Sequence, residues 1–265
     1  MKKSRRRRHI MPLTISLIVG IVFGAVVGVT FTSLSVDKLR SEEKKKVQEE
    51  AQKQVDAIQE ELDKLKEQMN KEEEELPWNL VLVNPTTYMK EGYVPELATV
   101  SSGYKVDVRI VDAAKQMLAD AKKAGLDVIV CSAYRSVEQQ KQVFSDSMKR
   151  RVNSGMRYWE AYLETTRNVA VPGTSEHSLG LALDLIARSY QGLDEKQANT
   201  AEAKWLAANC HKYGFILRYP SSKSDITGIV FEPWHFRYVG VEHATKIMES
   251  GVVLEEYIEQ YRKGE

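Results

Sequence analysis

The chain has 265 residues, of which 43% are hydrophobic and 28% are charged, and its formal net charge is +1. This near-neutral balance excludes the basic surface that nucleic-acid binding requires, and we expect no nucleic-acid partner. The two cysteines, Cys131 and Cys210, lack the spacing of a metal site. We interpret them as unpaired buried thiols, with a disulfide as the alternative that an oxidising compartment would permit.

The amino-terminal residues have the pattern of a membrane anchor. Residues 1–9 carry six lysine and arginine residues and no acid, and residues 10–36 carry no charged side chain. That apolar stretch exceeds the roughly 20 residues that cross a bilayer as a helix. A cleaved signal peptide is the alternative, but its apolar region would span only about 7–15 residues. We therefore predict a cytoplasmic segment over 1–9, a single-pass anchor in the cell membrane over 10–36, and an extracytoplasmic remainder.

Residues 37–76 are predicted to form a helical stalk. The segment contains no proline or glycine, and Val55, Ile58, Leu62, Leu65 and Met69 recur at spacings of three and four. This spacing is typical of a heptad seam, so two copies of the chain could pair through a short coiled coil. A solvated single helix is the alternative, and Pro77 is expected to end the helix.

The remaining residues, 77–265, are enough for one domain with a single core. Ser136 is a good N-cap for a helix that begins at Val137. Further patterns predict helices over 106–125, 158–166 and 195–212, and strands over 127–132, 181–185, 214–219 and 228–232. This interleaving predicts an α+β fold, with a small, mainly antiparallel sheet and flanking helices.

Two short segments of the domain offer metal ligands. His177 and Asp184 lie seven residues apart, with Gly180 between them to allow a tight bend, and His235 follows some fifty residues later. Two imidazoles and one carboxylate, with one coordination position left for water, are what a hydrolytic zinc site needs. The alternate residues around Asp184 are leucines, which points its carboxylate to the face opposite them.

Two further residues complete the predicted site. Pro233 disfavours helical backbone at Glu232 and turns the chain, so Glu232 and His235 can face one cavity. Glu232 would then serve as the general base for the attacking water. Arg135 follows the strand at 127–132, where its guanidinium could hold a substrate carboxylate or stabilise the oxyanion.

The motifs around these residues resemble the VanY-type D-alanyl-D-alanine carboxypeptidases. They are Ser132-Ala133-Tyr134-Arg135-Ser136 with Gln140, the stretch from Ser175 to Asp184, and Glu232-Pro233-Trp234-His235 with the residues that follow. The resemblance implies zinc bound by His177, Asp184 and His235, a catalytic Glu232, and Arg135 as a catalytic and substrate contact. It also implies substrate contacts at Ser175, Gln140 and Tyr134. One departure is Ala133, where the family commonly has glycine.

The expected function is a zinc-dependent D,D-carboxypeptidase that removes the terminal D-alanine from peptidoglycan stem peptides. An L,D-carboxypeptidase or another wall-peptide hydrolase of the same superfamily is the nearest alternative, because residues outside the motifs set the stereochemistry of the cleaved bond. A non-catalytic wall-binding scaffold is the alternative from a different class. The intact set of ligands and Glu232 argues against the scaffold.

Overall fold

The structure is a computed structural model that describes residues 41–74 and 76–263. Its contacts divide the chain between Leu76 and Pro77 into two units. In the first unit, helix α1 spans Ser41–Glu74, as the absence of helix breakers predicts. At about 1.5 Å per residue, it would extend roughly 50 Å. Pairing of two such helices stays a prediction.

The anchor predicted over residues 10–36 lies outside the described residues. Within the described ranges, no helix combines the length and the apolar character needed to cross a membrane.

The second unit is built on antiparallel β-structure. One sheet has four strands in the order β3-β4-β6-β5, and a separate ribbon pairs β1 with β2. The strands are β1 Leu97–Ser101, β2 Tyr104–Asp107, β3 Val128–Ser132, β4 Ala182–Ala187, β5 Phe215–Leu217 and β6 His235–Tyr238. Every residue of β4 is buried, which fits its central position in the sheet. The α+β class with small antiparallel sheets is confirmed.

Seven helices of the described residues flank these strands. They are α2 Val111–Lys123, α3 Val137–Asn153, α4 Tyr158–Asn168, α5 Ala201–Asn209, α6 Ser224–Thr227, α7 Val241–Ser250 and α8 Leu254–Lys263. Ser136 caps α3 as predicted: its hydroxyl accepts from the backbone of Gln139, whose side chain accepts in return from the Ser136 backbone. This capping box fixes the start of α3, with its N-cap one residue after Arg135.

The core lies between the four-stranded sheet and the helices. It includes Leu183 and Leu185 of β4, Phe236 of β6 and Met117 of α2, all of which are fully buried. The leucines of β4 thus face the core, and the side chain of Asp184 between them points to the opposite face of the sheet, as the alternation predicted.

Three predicted elements differ from the structure. The helix predicted over 106–125 begins later, because Val106 pairs with Ala98 in the β1–β2 ribbon and Asp107 caps the following turn. The helix predicted over 195–212 is interrupted, because Thr200 is extended and starts α5 as a new N-cap.

The third difference matters most for the site. Residues 228–232 form no strand, and the last strand is β6, which begins at His235. The backbone of residues 228–232 bonds to two different partners: Val230 N–H donates to Arg167 and Glu232 N–H to Tyr219. An apolar run alone cannot distinguish a ladder from such an irregular buried segment.

Both cysteines are free, as predicted. Cys210 is buried, whereas Cys131 is half-buried at an irregularity in the β3–β4 pairing. Burial raises the pKa of each thiol to about 12, which keeps both protonated.

We expect Leu185→Ala to lower the free energy of unfolding by about 2–5 kcal/mol, because it opens a cavity in the central strand. Met248→Ala, at a 47% exposed position on α7, is the control and should change stability by less than about 0.5 kcal/mol. Urea unfolding of both variants measures the difference. Equal effects would contradict the placement of β4 in the core.

Candidate metal centre

The sheet brings two of the predicted ligands directly opposite each other. Asp184 on β4 and His235 on β6 are register partners in the antiparallel ladder. His177 lies in a short 3₁₀ segment, Glu176–Leu179, that precedes β4. Gly180 turns the chain between them with φ +74°, and an added Cβ would lie 3.0 Å from the Asp107 nitrogen. Glycine is required there on both grounds, as the spacing predicted.

The three side chains form one buried cluster of ligand atoms, which lie within 4.8 Å of one another. His177 Nε2 lies 3.2 Å from one Asp184 oxygen, and His235 Nδ1 lies 3.1 Å from the other. The remaining ring nitrogens face pure acceptors: His177 Nδ1 lies 2.7 Å from the Ala133 carbonyl oxygen, and His235 Nε2 lies 3.2 Å from Glu176 Oε2.

These outer contacts determine where the ring protons sit. Because a carbonyl or carboxylate oxygen can only accept, His177 Nδ1 and His235 Nε2 donate to them. In the neutral form that metal ligation requires, each imidazole then presents a lone pair towards Asp184, which is also an acceptor. Three converging acceptors, each histidine oriented by an oxygen on its far side, are the arrangement that divalent metal sites use.

The two histidines have opposite pKa shifts. Burial lowers the pKa of His177, and the neighbouring charge of Arg135 lowers it further against the pull of Asp184. Burial would also lower the pKa of His235, but hydrogen bonds to both Asp184 and Glu176 outweigh it and raise the pKa to about 9. A bound cation would compete with that proton, since metal ligation needs the neutral ring.

Glu232 stands beside the cluster on a tight turn. His235 N–H donates to the Glu232 carbonyl oxygen, so Pro233 and Trp234 occupy the turn, as Pro233 predicted. Glu232 Oε2 lies 3.8 Å from His235 Nδ1 and takes no direct part in the three-residue cluster. Burial raises the pKa of Glu232 to about 8, and the nearby Asp184 carboxylate adds to that shift. Its environment therefore gives it a proton affinity suited to proton transfer near neutral pH.

A cavity of about 490 Å³ connects these groups. Besides the three ligands and Glu232, it is lined by Arg135, Gln140 and Ser175, three of the predicted substrate contacts. Among the residues that the structure describes, buried Arg135 Nε has no hydrogen-bond partner. Buried Gln140 Oε1 has none there either, although the amide nitrogen of Gln140 donates to the Ala170 carbonyl oxygen. A buried guanidinium nitrogen without a partner is costly unless a ligand satisfies it.

Tyr134 lies elsewhere. It lines a second cavity, of about 560 Å³, together with Tyr93 and Val137. Its role as a substrate contact stays a prediction.

A buried ionic network, which the sequence patterns did not predict, lies behind the cluster. Glu176 Oε1 accepts from Arg218 Nε at 2.7 Å and from Arg237 Nη1 at 2.9 Å, and all three side chains are fully buried. Arg218 also forms a bidentate pair with Glu255 of α8. Burial would raise the pKa of Glu176, but the two guanidinium groups hold it well below its usual range. The sequence offered one signal of this network. Arg218 directly follows the apolar strand β5, and Arg237 lies within β6. Arginine is almost never fully buried unless it is paired, so each of these positions called for an acidic partner.

The site thus combines two imidazoles and a carboxylate, a second carboxylate beside them, and a cavity that all four share. This is the constellation of a mononuclear metal-dependent hydrolase.

Comparisons with known proteins identify the family. The family profile described as VanY, D-alanyl-D-alanine carboxypeptidase, matches residues 103–241. The chain belongs to this family. It is 39% identical over 185 residues to a D-alanyl-D-alanine carboxypeptidase of Enterococcus faecalis, covering 70% of this chain and 67% of the relative.

Two solved structures carry the same fold. One is a vancomycin-resistance D,D-pentapeptidase VanY variant in complex with Zn(II), 38% identical, with a TM-score of 0.63 over 69% of this chain and 99% of the other. The other is the LdcB LD-carboxypeptidase, 36% identical, with a TM-score of 0.60 over 70% of this chain and 88% of the other. The fold therefore serves both stereochemical specificities.

Glu176→Gln is expected to weaken metal binding by about 10- to 100-fold, because it removes the charge that orients His235. It also leaves two buried guanidinium groups short of a partner, so the free energy of unfolding should fall by about 3–5 kcal/mol. Competition with a chromophoric zinc chelator measures the first effect, and urea unfolding of the metal-free protein measures the second.

Glu256→Gln is the matched control, since it removes a carboxylate from a partly exposed pair with Lys223. The free energy of unfolding of this variant should fall by no more than about 1 kcal/mol, and its zinc affinity should not change. Indistinguishable zinc affinities for the two variants would remove Glu176 from the support of the metal centre.

Proposed function

We propose that the domain at 77–265 is a zinc-dependent D,D-carboxypeptidase that hydrolyses the last peptide bond of peptidoglycan stem peptides and releases D-alanine. The observation that carries this proposal is the cluster of His177, Asp184 and His235 in one cavity with Glu232 and Arg135. Membership of the VanY family and the likeness to a zinc-containing D,D-pentapeptidase support it.

The donor set fits zinc. Two neutral imidazoles and one carboxylate match the ligands of catalytic zinc sites, and Ala133 and Glu176 orient the imidazoles from behind. When bound, zinc would activate a water molecule and polarise the scissile carbonyl.

The protein groups supply proton transfer and substrate orientation. The Glu232 carboxylate accepts the proton of the attacking water and returns it to the nitrogen of the departing D-alanine. Such general acid–base assistance is typically worth about 10²–10⁴ in rate. Arg135 binds the terminal carboxylate through its Nε, which has no partner within the described part of the chain. Only a chain end is then presented for cleavage.

L,D-carboxypeptidase activity is the second candidate, and the likeness to an LD-carboxypeptidase structure favours it. Both activities would use the same metal ligands, base and arginine. They differ in whether the residue before the scissile bond has the D or the L configuration. A non-catalytic scaffold is the third candidate, and it requires a role that survives the loss of Glu232.

Residues outside the domain suit a polymeric wall substrate near a membrane. We place residues 10–36 in the cell membrane, with residues 1–9 in the cytoplasm and the domain outside, on the strength of their charge and apolar length. Helix α1 would hold the domain away from the bilayer, and its heptad spacing supports pairing of two chains.

Matched muropeptides test the proposal. We expect the zinc-loaded protein to release D-alanine from a pentapeptide that ends D-Ala-D-Ala and to lose this activity when zinc is chelated. Glu232→Gln should retain zinc, but its kcat should be lower than that of the wild type by a factor of about 10²–10⁴. Release only from a tetrapeptide that ends in an L-centre–D-Ala bond would move the protein to the L,D class. Full in vivo function of Glu232→Gln would favour the scaffold.

Arg135→Ala tests the carboxylate grip. Loss of a charge-assisted contact should reduce kcat/KM by about 10- to 100-fold on the free pentapeptide. On the same peptide with a C-terminal amide, hydrolysis should already be slow and should change little. Steady-state kinetics on the peptide pair measures this. Equal losses on both peptides would show that Arg135 stabilises the oxyanion instead.

A further inference from the structure

The last turns of helix α3 form one wall of the metal-site cavity. Ser147, Arg150 and Arg151 all line it, on the helix that begins directly after Arg135. The Ser147 hydroxyl is buried and accepts a hydrogen bond from Arg151 Nη1, which holds that guanidinium on the wall. Arg150 is an exposed residue of the same wall. Two guanidinium groups therefore line the cavity that holds the metal ligands.

These two arginines have no acidic partner among the residues that the structure describes. Their neighbour Lys149 lies 3.8 Å from Asp146, whereas neither arginine has a carboxylate within ion-pair distance in the described ranges. Three acids among the described residues line the cavity, and none of them pairs with either arginine. Asp184 faces both histidines, Glu176 faces Arg218 and Arg237, and Glu232 lies beside His235. The α3 wall therefore presents uncompensated positive charge to the ligand.

The helix dipole accounts for only part of this arrangement. Basic residues are favoured in the last turn of any helix because they face unsatisfied carbonyl groups. The helix dipole does not explain why both arginines line the cavity. It also does not explain why the buried Ser147 accepts a hydrogen bond from one of the guanidinium groups. The planar guanidinium group of arginine suits bidentate binding of carboxylates and phosphates. Two such groups without an acidic partner are therefore suited to bind an anionic ligand.

We propose that Arg150 and Arg151 form an anion subsite that binds a second carboxylate of the stem peptide, upstream of the scissile bond. The proposal rests on the proposed function and names a substrate feature that the metal centre alone does not select. Arg135, whose backbone N–H bonds to the His177 carbonyl, lies beside the metal ligands and suits the terminal carboxylate. A cavity of about 490 Å³ is large enough for a drug-sized ligand, which exceeds two alanine residues.

Carboxylate-to-carboxamide exchange tests this subsite on the full-length, zinc-loaded protein. The substrates are pentapeptides ending D-Ala-D-Ala that carry either a carboxylate or a carboxamide at the second residue, and likewise at the third. We expect kcat/KM to be about 10- to 100-fold higher for the carboxylate at one of these positions, mainly through KM. The double variant Arg150→Gln, Arg151→Gln should abolish the preference while hydrolysis of the carboxamide peptide persists.

Lys149→Gln is the matched control, because it removes a positive charge from the same turn but not from the cavity wall. It should keep the wild-type preference. A preference that survives in the double variant, or its absence from the wild type at both positions, would overturn the subsite. If no peptide is hydrolysed, the proposed function fails separately, and calorimetric binding of the same peptides to wild type and double variant then decides the subsite.

Discussion

The buried carboxylate of Glu176 connects the metal centre to the rest of the domain. One oxygen accepts from Arg218 and Arg237, and the other accepts from the ring of His235. Burying four ionisable groups is costly unless each is paired, so the position of any one constrains the others. Arg218 extends the constraint to α8 through Glu255, and Arg237 extends it to the backbone carbonyls of Asn79 and Val81. Segments from both ends of the domain thereby hold one imidazole in place.

The same network separates the two histidines electrostatically. His177 donates to a neutral carbonyl and faces Arg135, whereas His235 donates to a full carboxylate. Together with Asp184, the Glu176 carboxylate makes His235 the more basic ring, so the two histidines would donate unequally to a cation that they share. Asp184 between them is fixed by the sheet itself, because its register partner is His235. Ladder geometry sets the ligand spacing, and the ionic network sets the orientation of one ring.

Much of the site was predictable from sequence because its residues are local to turns whose chemistry is readable. Gly180 permits the bend that brings His177 back to Asp184, and Pro233 places Glu232 and His235 on one turn. Ser136 likewise marks the start of α3. The pairing of Glu176 with Arg218 and Arg237 was not predictable. Glu176 is some 40 to 60 positions from the two arginines, and they meet only when the strands pair. The strand predicted over 228–232 was wrong for a related reason: an apolar run reports burial, and the partner of its backbone is a tertiary property.

Charge is distributed unevenly around the cavity, and this favours one orientation of a charged substrate. Carboxylates gather at the metal cluster, where His235 and a bound cation would compensate them. Arg135, Arg150 and Arg151 lie instead on the segment from the end of β3 through α3. A substrate that carries negative charge at its terminus is therefore attracted along the α3 side and placed with its carbonyl towards the ligands. Because one continuous segment supplies both the Arg135 contact and the α3 wall, substrate selection can vary along that segment while the sheet preserves the metal geometry. The likeness of this chain both to a D,D-pentapeptidase and to an LD-carboxypeptidase fits this division between the sheet and the α3 segment.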